Sequence, residues 1–304
     1  MLKKRNLSYV GRKNSIKNVF MRNFSGWLLL LPTVILFVML VWRPMIISVS
    51  YAFFELKGFT PVEFVGFENF IDVVTDSNFI KTLWNTAQYV LWSLLIGFPL
   101  PIICAIILNE LVHGQKTLKM ATYLPVIIPA IATSMIWRMV YMDGTGGLLN
   151  MIVSFFGGEP SQWLSNKDLV IPLIIISMTW NGFGSTLITY FATLQGVNQE
   201  LYEAARLDGA GVWGRFWHVL MPHMKGLTLL MFIRQIIGVF GILEQPMAMT
   251  GGGPNGASMS LGYTTYKYAF EYGQFGRSLA LSVINFLILG VFTLIYFKVE
   301  KNVD

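Results

Sequence analysis

The sequence predicts an all-α integral membrane protein with six transmembrane helices and a helix-turn-helix hairpin on its cytoplasmic side. Composition is the first observation behind this prediction: of the 304 residues, 54% are hydrophobic and only 12% are charged. A soluble domain carries roughly 25% charged residues, so this chain has too few to cover a surface that faces water on every side. A mean hydropathy of +0.58 agrees with burial in lipid.

Six apolar segments are the second observation, because a transmembrane helix takes about 20 residues and each segment reaches that length. They are residues 26–51, 83–108, 118–142, 169–194, 224–249 and 278–299. The first is too long for the apolar core of a signal peptide, and no small-residue cleavage site follows it, so we expect it to be retained. The resulting domain prediction is a basic segment 1–25, a transmembrane domain 26–299 and a short tail 300–304.

The distribution of lysine and arginine orients the six spans, since cytoplasmic loops carry an excess of both. Seven basic residues and no acidic one precede the first span: Lys3, Lys4, Arg5, Arg12, Lys13, Lys17 and Arg22. The loops predicted to lie outside hold Lys57, Lys81, Lys167, Lys267 and Arg277. Both termini are therefore predicted in the cytoplasm, with the protein in the cell membrane. The location of the basic residues explains the net charge of +6 as an orientation signal. We therefore expect membrane lipid but no nucleic acid as a partner.

Residues 199–222 form the longest amphipathic, charged stretch between two apolar segments. In its first half apolar residues alternate at a helical spacing with charged ones: Leu201, Ala204, Ala205 and Leu207 with Glu200, Glu203, Arg206 and Asp208. Gly209-Ala210-Gly211 then predicts a turn, and a second apolar and basic run follows until Pro222 closes it. The pattern predicts a helix-turn-helix hairpin, and a hairpin that merely rests on lipid headgroups is the alternative interpretation.

The spacing within this hairpin resembles a known motif. Glu203-Ala204-Ala205, three residues, Gly209, nine residues, and Val219-x-Met221-Pro222 is similar to the EAA loop. That loop reads EAA, three residues, Gly, nine residues, Ile-x-Leu-Pro, and belongs to membrane subunits of binding-protein-dependent ABC importers. Val219 and Met221 replace Ile and Leu, which are mild apolar changes. Neighbouring residues resemble the carbohydrate-importing, maltose-type branch: Leu194-Gln195, Tyr202, Asp208-Gly209-Ala210 and Gly251-Gly252-Gly253-Pro254.

The resemblance implies one permease subunit of an ABC importer for a sugar or oligosaccharide. A second homologous permease subunit would complete the translocation path, two ABC ATPase subunits would bind below, and an extracytoplasmic sugar-binding protein would deliver the substrate. The resemblance also implies that part of the hairpin enters a cleft on the ATPase, with Glu203 as an ion-pairing contact. Pro222 would end the hairpin, which could then move as a lever with the fifth span. The implied ATPase-coupling residues are Glu203, Ala204, Ala205, Asp208, Gly209 and Pro222.

Polar residues within the spans are candidates for the substrate path, because they are costly in lipid and often functional. Arg234 lies ten residues after Met224, about 15 Å along a helix and close to the predicted midplane. It is expected to pair with Glu244 or another acid, or to line the path with Gln235 and contact an acidic or heavily hydroxylated sugar. Further candidates are Trp180, Asn181, Glu244 and Asn285. Hydrogen bonding between helices is the alternative role for each.

Motifs of catalysis are missing from the sequence, so no enzyme is predicted. The phosphate-binding pattern G-x-x-x-x-G-K-[ST] does not occur, and neither does a nucleophile or zinc-protease motif. We therefore predict no catalytic residue, no metal site and no cofactor, with ATP hydrolysis left to a partner chain. A self-sufficient secondary carrier or channel is the alternative function, although it leaves the EAA-like spacing unexplained. A membrane scaffold or receptor is a further alternative that would show no transport.

Overall fold

The computed structural model describes residues 24–111 and 113–301. The basic residues Lys3 to Arg22 of the predicted N-terminal segment and the last three residues of the tail lie outside this described part. The chain divides into two compact units, Met1–Tyr51 and Ala52–Asp304. The described part of the first unit is one apolar helix, built from Phe24–Phe37, a π-helical stretch Val38–Trp42, and Arg43–Tyr51.

Five described helices are long and apolar enough to cross a membrane. They are Gly26–Tyr51, Phe79–Glu110, Val170–Leu194, Val212–Phe240 and Phe275–Glu300, which we call spans one, two, four, five and six. Short π-helical stretches at Ser93–Gly97 and Phe216–Leu220 widen spans two and five without ending them. The prediction of an all-α membrane protein is confirmed.

The third predicted span is broken, which corrects the expectation of one helix over residues 118–142. The chain forms Gln115–Ile127 and Ala130–Val140, two helical pieces that meet at 98° and reach the length of a span only together. Pro125 and Pro129 flank the break, because proline lacks the N–H of the helical ladder and disfavours helical backbone in the residue before it.

Span four holds this break in place. The side-chain amide of Asn181 donates to the carbonyl oxygens of Pro125 at 2.7 Å and Ile128 at 3.1 Å, and to Oγ1 of Thr133 at 3.1 Å. A Cβ at Gly184 would lie 2.0 Å from the carbonyl oxygen of Thr122, so only glycine permits this close approach. The freed carbonyl groups of the break are thus satisfied by a neighbouring helix, as they must be within a bilayer.

The fifth predicted span, residues 224–249, is also different in the structure. The helix ends at Phe240, and Glu244–Thr250 is a separate short helix. Glu244 therefore lies outside the span, and Arg234 is only six residues, about 9 Å, from the end of its helix.

The second unit is packed around spans two, four, five and six. Its buried side chains form three clusters, represented by Ile102, Leu187 and Leu220; by Tyr89, Ile174 and Val239; and by Ile236, Phe240 and Leu281. Each span also leaves an apolar face exposed, including Leu91, Leu95, Leu230, Ile237, Phe286, Leu287 and Leu294. Such faces suit contact with lipid or with a second membrane chain.

The loops form a structured rim at the start of span two, which we call the loop end. Its elements are the antiparallel strands Phe54–Lys57 and Thr60–Phe64 and the helices Glu68–Thr75, Leu148–Phe155 and Leu261–Tyr266. Asp76 accepts a hydrogen bond of 3.2 Å from the hydroxyl of Tyr268. Burial and the neighbouring Asp76 carboxylate raise the pKa of Tyr268 to about 12, which keeps this donor protonated.

Span two binds the glycine-rich turn of the rim directly. Asn85 donates to the carbonyl oxygens of Gly256 at 2.8 Å and Met259 at 3.0 Å, and the hydroxyl of Tyr89 donates to Ser258 at 3.0 Å. Oγ1 of Thr86 accepts from the backbone N–H of Leu261 at 3.0 Å. The start of span two thus recognises the backbone of residues 256–261, which fixes the turn that Gly251 and Gly252 begin with positive φ angles.

Candidate functional site

Residues 199–222 contain two helices and a turn at the opposite end of span two, which we call the hairpin end. The first helix is Gln199–Leu207, and the side chain of Asn198 caps it by accepting a hydrogen bond of 2.9 Å from the backbone N–H of Glu200. Gly209 then takes a φ of +78°, a left-handed conformation that favours glycine. The second helix begins at Val212, which is also the first residue of span five. Gly209 therefore allows the chain to reverse here.

Pro222 lies inside a helix and does not end the hairpin, which corrects the sequence interpretation. It occupies the first turn of Met221–Phe240, directly after the π-helical stretch Phe216–Leu220. There the N–H of Met221 bonds to the carbonyl of Phe216, five residues back, and this wider turn accommodates a residue that has no N–H. The second arm of the hairpin and span five are therefore one helix of 29 residues.

The first helix of the hairpin and the turn present a surface of mixed character. Glu203, Ala204, Asp208 and Gly209 are exposed, whereas Ala205 is half-buried. Large apolar side chains are exposed on the same short hairpin: Leu201, Leu207, Val212, Trp213 and Trp217. Leu207, directly before Asp208, is 88% exposed. Apolar residues concentrated in this way mark an interaction surface, for a protein or for lipid headgroups.

A partly buried ion pair ties the hairpin to the end of span two. The guanidinium of Arg215 lies 3.2 Å from a carboxylate oxygen of Glu110, and their side chains are 11% and 28% exposed. Arg215 also donates to the carbonyl oxygen of Ala210 at 3.2 Å and lies over the ring of Tyr202, 5.1 Å from its centroid. One arginine thus joins both arms of the hairpin to span two.

Some polar atoms around Arg215 remain unbonded within the described residues. They are Oε1 of Glu110, Nε of Arg215 and the hydroxyl of Tyr202, all buried. A cavity of about 330 Å³ lies alongside, and Glu203 and Arg206 of the hairpin line it together with Gln195 of the loop after span four. The hairpin is therefore held by this ion pair and by the buried side chains of Phe216 and Leu220, with unbonded polar atoms and a cavity beside them.

Between spans two, four and five lies a groove of about 220 Å³, which we call the mid-span groove. Arg234 and Gln235 line it from span five, and it also includes Ser93, Gly97, Thr179, Gly182, Ser185, Thr186 and Gly238. Gly182 is twelve residues, about 18 Å, from either end of span four, so the groove reaches the middle of that helix. Two of the predicted path residues, Arg234 and Gln235, therefore meet at a cavity deep within the spans.

The other predicted path residues lie elsewhere. Trp180 packs edge-on against Trp137 at 5.9 Å between ring centroids, and the amide of Asn181 is used in holding the broken third span. Glu244 starts its own short helix, and Oδ1 of Asn285 in span six is buried without a described partner. Among the described residues no ion pair joins Arg234 to Glu244, so that predicted pair is not formed.

Sequence reasoning missed the residues that connect the hairpin to span two and the residues that shape the mid-span groove. Arg215 and Glu110 are 105 positions apart, and each looks like an ordinary charge near a membrane surface. Glycines within apolar spans were a usable signal, because small residues allow helices to approach closely or leave space. Gly97, Gly182 and Gly238 line the mid-span groove, and a Cβ at Gly182 or Gly238 would meet no atom within 4 Å.

Comparison with known protein sequences relates this chain to membrane transport. Residues 97–304 match the sequence model of a family described as "Binding-protein-dependent transport system inner membrane component". The arabinooligosaccharides transport system permease protein AraP of Bacillus subtilis is 28% identical, over 93% of this chain and 90% of its own length. The polygalacturonan/rhamnogalacturonan transport system permease protein YteP of the same organism is 31% identical, over 84% of this chain and 81% of its own length.

Comparison with solved structures supports the fold. A chain from the crystal structure of a bacterial alginate ABC transporter in complex with alginate pentasaccharide-bound periplasmic protein superposes with a TM-score of 0.80. The match covers 92% of this chain and 95% of that chain at 23% sequence identity. The fold of this chain is thus shared with a chain of a solved ABC transporter.

Proposed function

Because the chain belongs to the family of binding-protein-dependent transport system inner membrane components, we propose that it is a permease subunit of an ABC importer for a sugar or an oligosaccharide. Sugar transport is the function named for the relatives above, which supports this substrate class. The chain is a transport subunit and not an enzyme. The alternative of a self-sufficient carrier or channel loses its basis with this family membership.

The proposed partners follow from the same assignment as a permease subunit of an ABC importer. The chain would form half of a translocation path with a second, homologous permease subunit, and the exposed apolar faces of its spans would meet that subunit and lipid. Two ATPase subunits would bind the hairpin end, and an extracytoplasmic sugar-binding protein would dock at the loop end. The hairpin and both termini would lie in the cytoplasm, with residues 1–25 and 300–304 flanking the transmembrane domain 26–299.

The observation that carries the coupling proposal is the continuity of the hairpin with span five. Val212–Phe240 is about 44 Å long, which exceeds the roughly 30 Å of hydrocarbon, so one end of this helix would project from the membrane. The first hairpin helix, attached through Gly209, would enter a cleft on the ATPase with Glu203, Ala204, Ala205 and Asp208. Movement of the ATPase would then turn the projecting end of span five as a lever and reopen the path on the other side.

Exposed acidic side chains give the first test of this coupling. The assembled importer is expressed with Glu203→Ala, and Glu159→Ala, an exposed acid at the loop end, is the matched control. We expect the ATPase to co-purify with wild type and the control, and to be lost or uncoupled from transport with Glu203→Ala. Normal ATP-driven uptake by Glu203→Ala would contradict the role of Glu203. Uptake by the isolated chain without any ATPase would overturn the importer itself.

The turn at Gly209 gives a second test, which probes the backbone conformation of the hairpin separately from the contact of Glu203 with the ATPase. Gly209→Val places a β-branched side chain at a φ of +78°, whereas Gly209→Asn tolerates this region far better. We expect Gly209→Val to uncouple ATP hydrolysis from transport and Gly209→Asn to retain most of the coupling. Equal coupling in both variants would show that the geometry of this turn does not matter.

A further inference from the structure

The mid-span groove contains a charged side chain among polar and apolar ones. Of the described residues that line the groove, Arg234 is the one that bears a charge. Its side chain is exposed in this chain, and none of the ion pairs among the described residues involves it. An unpaired guanidinium at this depth is costly in lipid, so a partner of opposite charge is expected when the site is in use.

The rest of the groove suits a hydroxylated ligand. Gly97 lies close to Oγ1 of Thr179 and Nε2 of Gln235, since a Cβ there would be 3.0 Å and 3.1 Å from these atoms. Gly182 and Gly238 leave open space beside them. Hydroxyl and amide groups bond sugar hydroxyls, and the absence of side chains at the glycines leaves room for a ring.

Building on the proposed importer function, we propose that the substrate is an anionic sugar, a uronate-bearing oligosaccharide whose carboxylate pairs with Arg234 during passage. A guanidinium presents a planar fork that matches a carboxylate with two parallel hydrogen bonds, which a lysine cannot reproduce. Gln235 and Thr179 would then bond the hydroxyl groups of the same ring. The substrate would thus supply the acid that Arg234 lacks among the described residues.

The experiment compares each substrate with its uncharged analogue. The complete importer, with its binding protein, is placed in proteoliposomes, and ATP-driven uptake of trigalacturonate and trimannuronate is measured beside that of their methyl esters. Wild type, Arg234→Gln and Arg234→Lys are compared, with Arg138→Gln as the control because Arg138 is an exposed arginine on a membrane helix outside the groove. The same binding protein serves every variant. Its preference for acid or ester therefore contributes equally to each ratio and cancels when the variants are compared.

We expect Arg234→Gln to lower the acid-to-ester uptake ratio at least about tenfold, Arg234→Lys to lower it less, and Arg138→Gln to leave it unchanged. The complex should assemble in every variant, and Arg138→Gln should also retain basal ATPase activity. An unchanged ratio in Arg234→Gln would overturn the inference, as would uptake of neutral maltotriose without uptake of either uronide. Loss of the second permease subunit from Arg234→Gln would also overturn it, since Arg234 would then pair with that subunit. Absence of ATP-driven uptake of both uronides would also overturn the inference, whereas the importer function itself would be rejected if no ATPase co-purified with the chain.

Discussion

The two ends of span two are held in contrasting ways. At the loop end, Asn85, Thr86 and Tyr89 make several neutral hydrogen bonds to one backbone segment. At the hairpin end, the polar attachment is the ion pair of Glu110 with Arg215 beside the buried apolar side chains of Phe216 and Leu220, and buried polar atoms next to the pair remain unbonded within the described residues. A satisfied network gives a rigid shape, whereas a partly satisfied one gives a region that opens at lower free energy. The difference suggests a fixed rim and a movable hairpin.

The largest effect is expected from breaking the ion pair. Arg215→Ala leaves Glu110 partly buried without a counter-charge, which costs about 3 kcal/mol. We expect the hairpin to be held less firmly against span two, so that ATP hydrolysis continues while sugar uptake per ATP falls severalfold or more. The measurement is the ratio of uptake to ATP hydrolysis in proteoliposomes. The reversed pair Glu110→Arg with Arg215→Glu is the control, and it should recover part of the ratio that Arg215→Ala loses.

An intermediate effect is expected at the rim. Asn85→Asp has nearly the same shape but cannot donate to the carbonyl oxygens of Gly256 and Met259, and a carboxylate would repel both. Unsatisfied buried groups cost roughly 1–3 kcal/mol each, so the thermal midpoint in detergent should fall by several degrees. Uptake per ATP should stay near wild type once the protein is folded. A variant that is thermally normal but uncoupled would reverse the assignment of rigid and movable ends.

The smallest effect is expected from Tyr89→Phe, which removes a single hydrogen bond to Ser258 and keeps the ring in its buried cluster. The net contribution of one such bond is about 1 kcal/mol. We expect a small fall in the thermal midpoint and no change in ATP-driven uptake. A loss as large as that of Asn85→Asp would mean that the rim bonds act as one cooperative unit.

The local features of this chain were predictable because they depend on neighbouring residues. Apolar runs located five continuous spans, and the spacing of Glu203 and Gly209 indicated a hairpin whose turn the structure places at a positive φ. The limits of the spans were less predictable. The apolar run after Phe240 continues to Met249, and hydropathy does not distinguish a helix that continues from one that ends and begins again.

By itself, the sequence determined the membrane class, the positions of the apolar spans and the hairpin, since hydropathy, helical periodicity and the conformational freedom of glycine act over a few residues. The tertiary structure decided which distant groups meet. It placed Asn181 at the break of the third span, Arg215 on Glu110, and Arg234 in a groove without Glu244. These contacts join residues that are tens of positions apart, and only the packing of whole helices sets the distances between them.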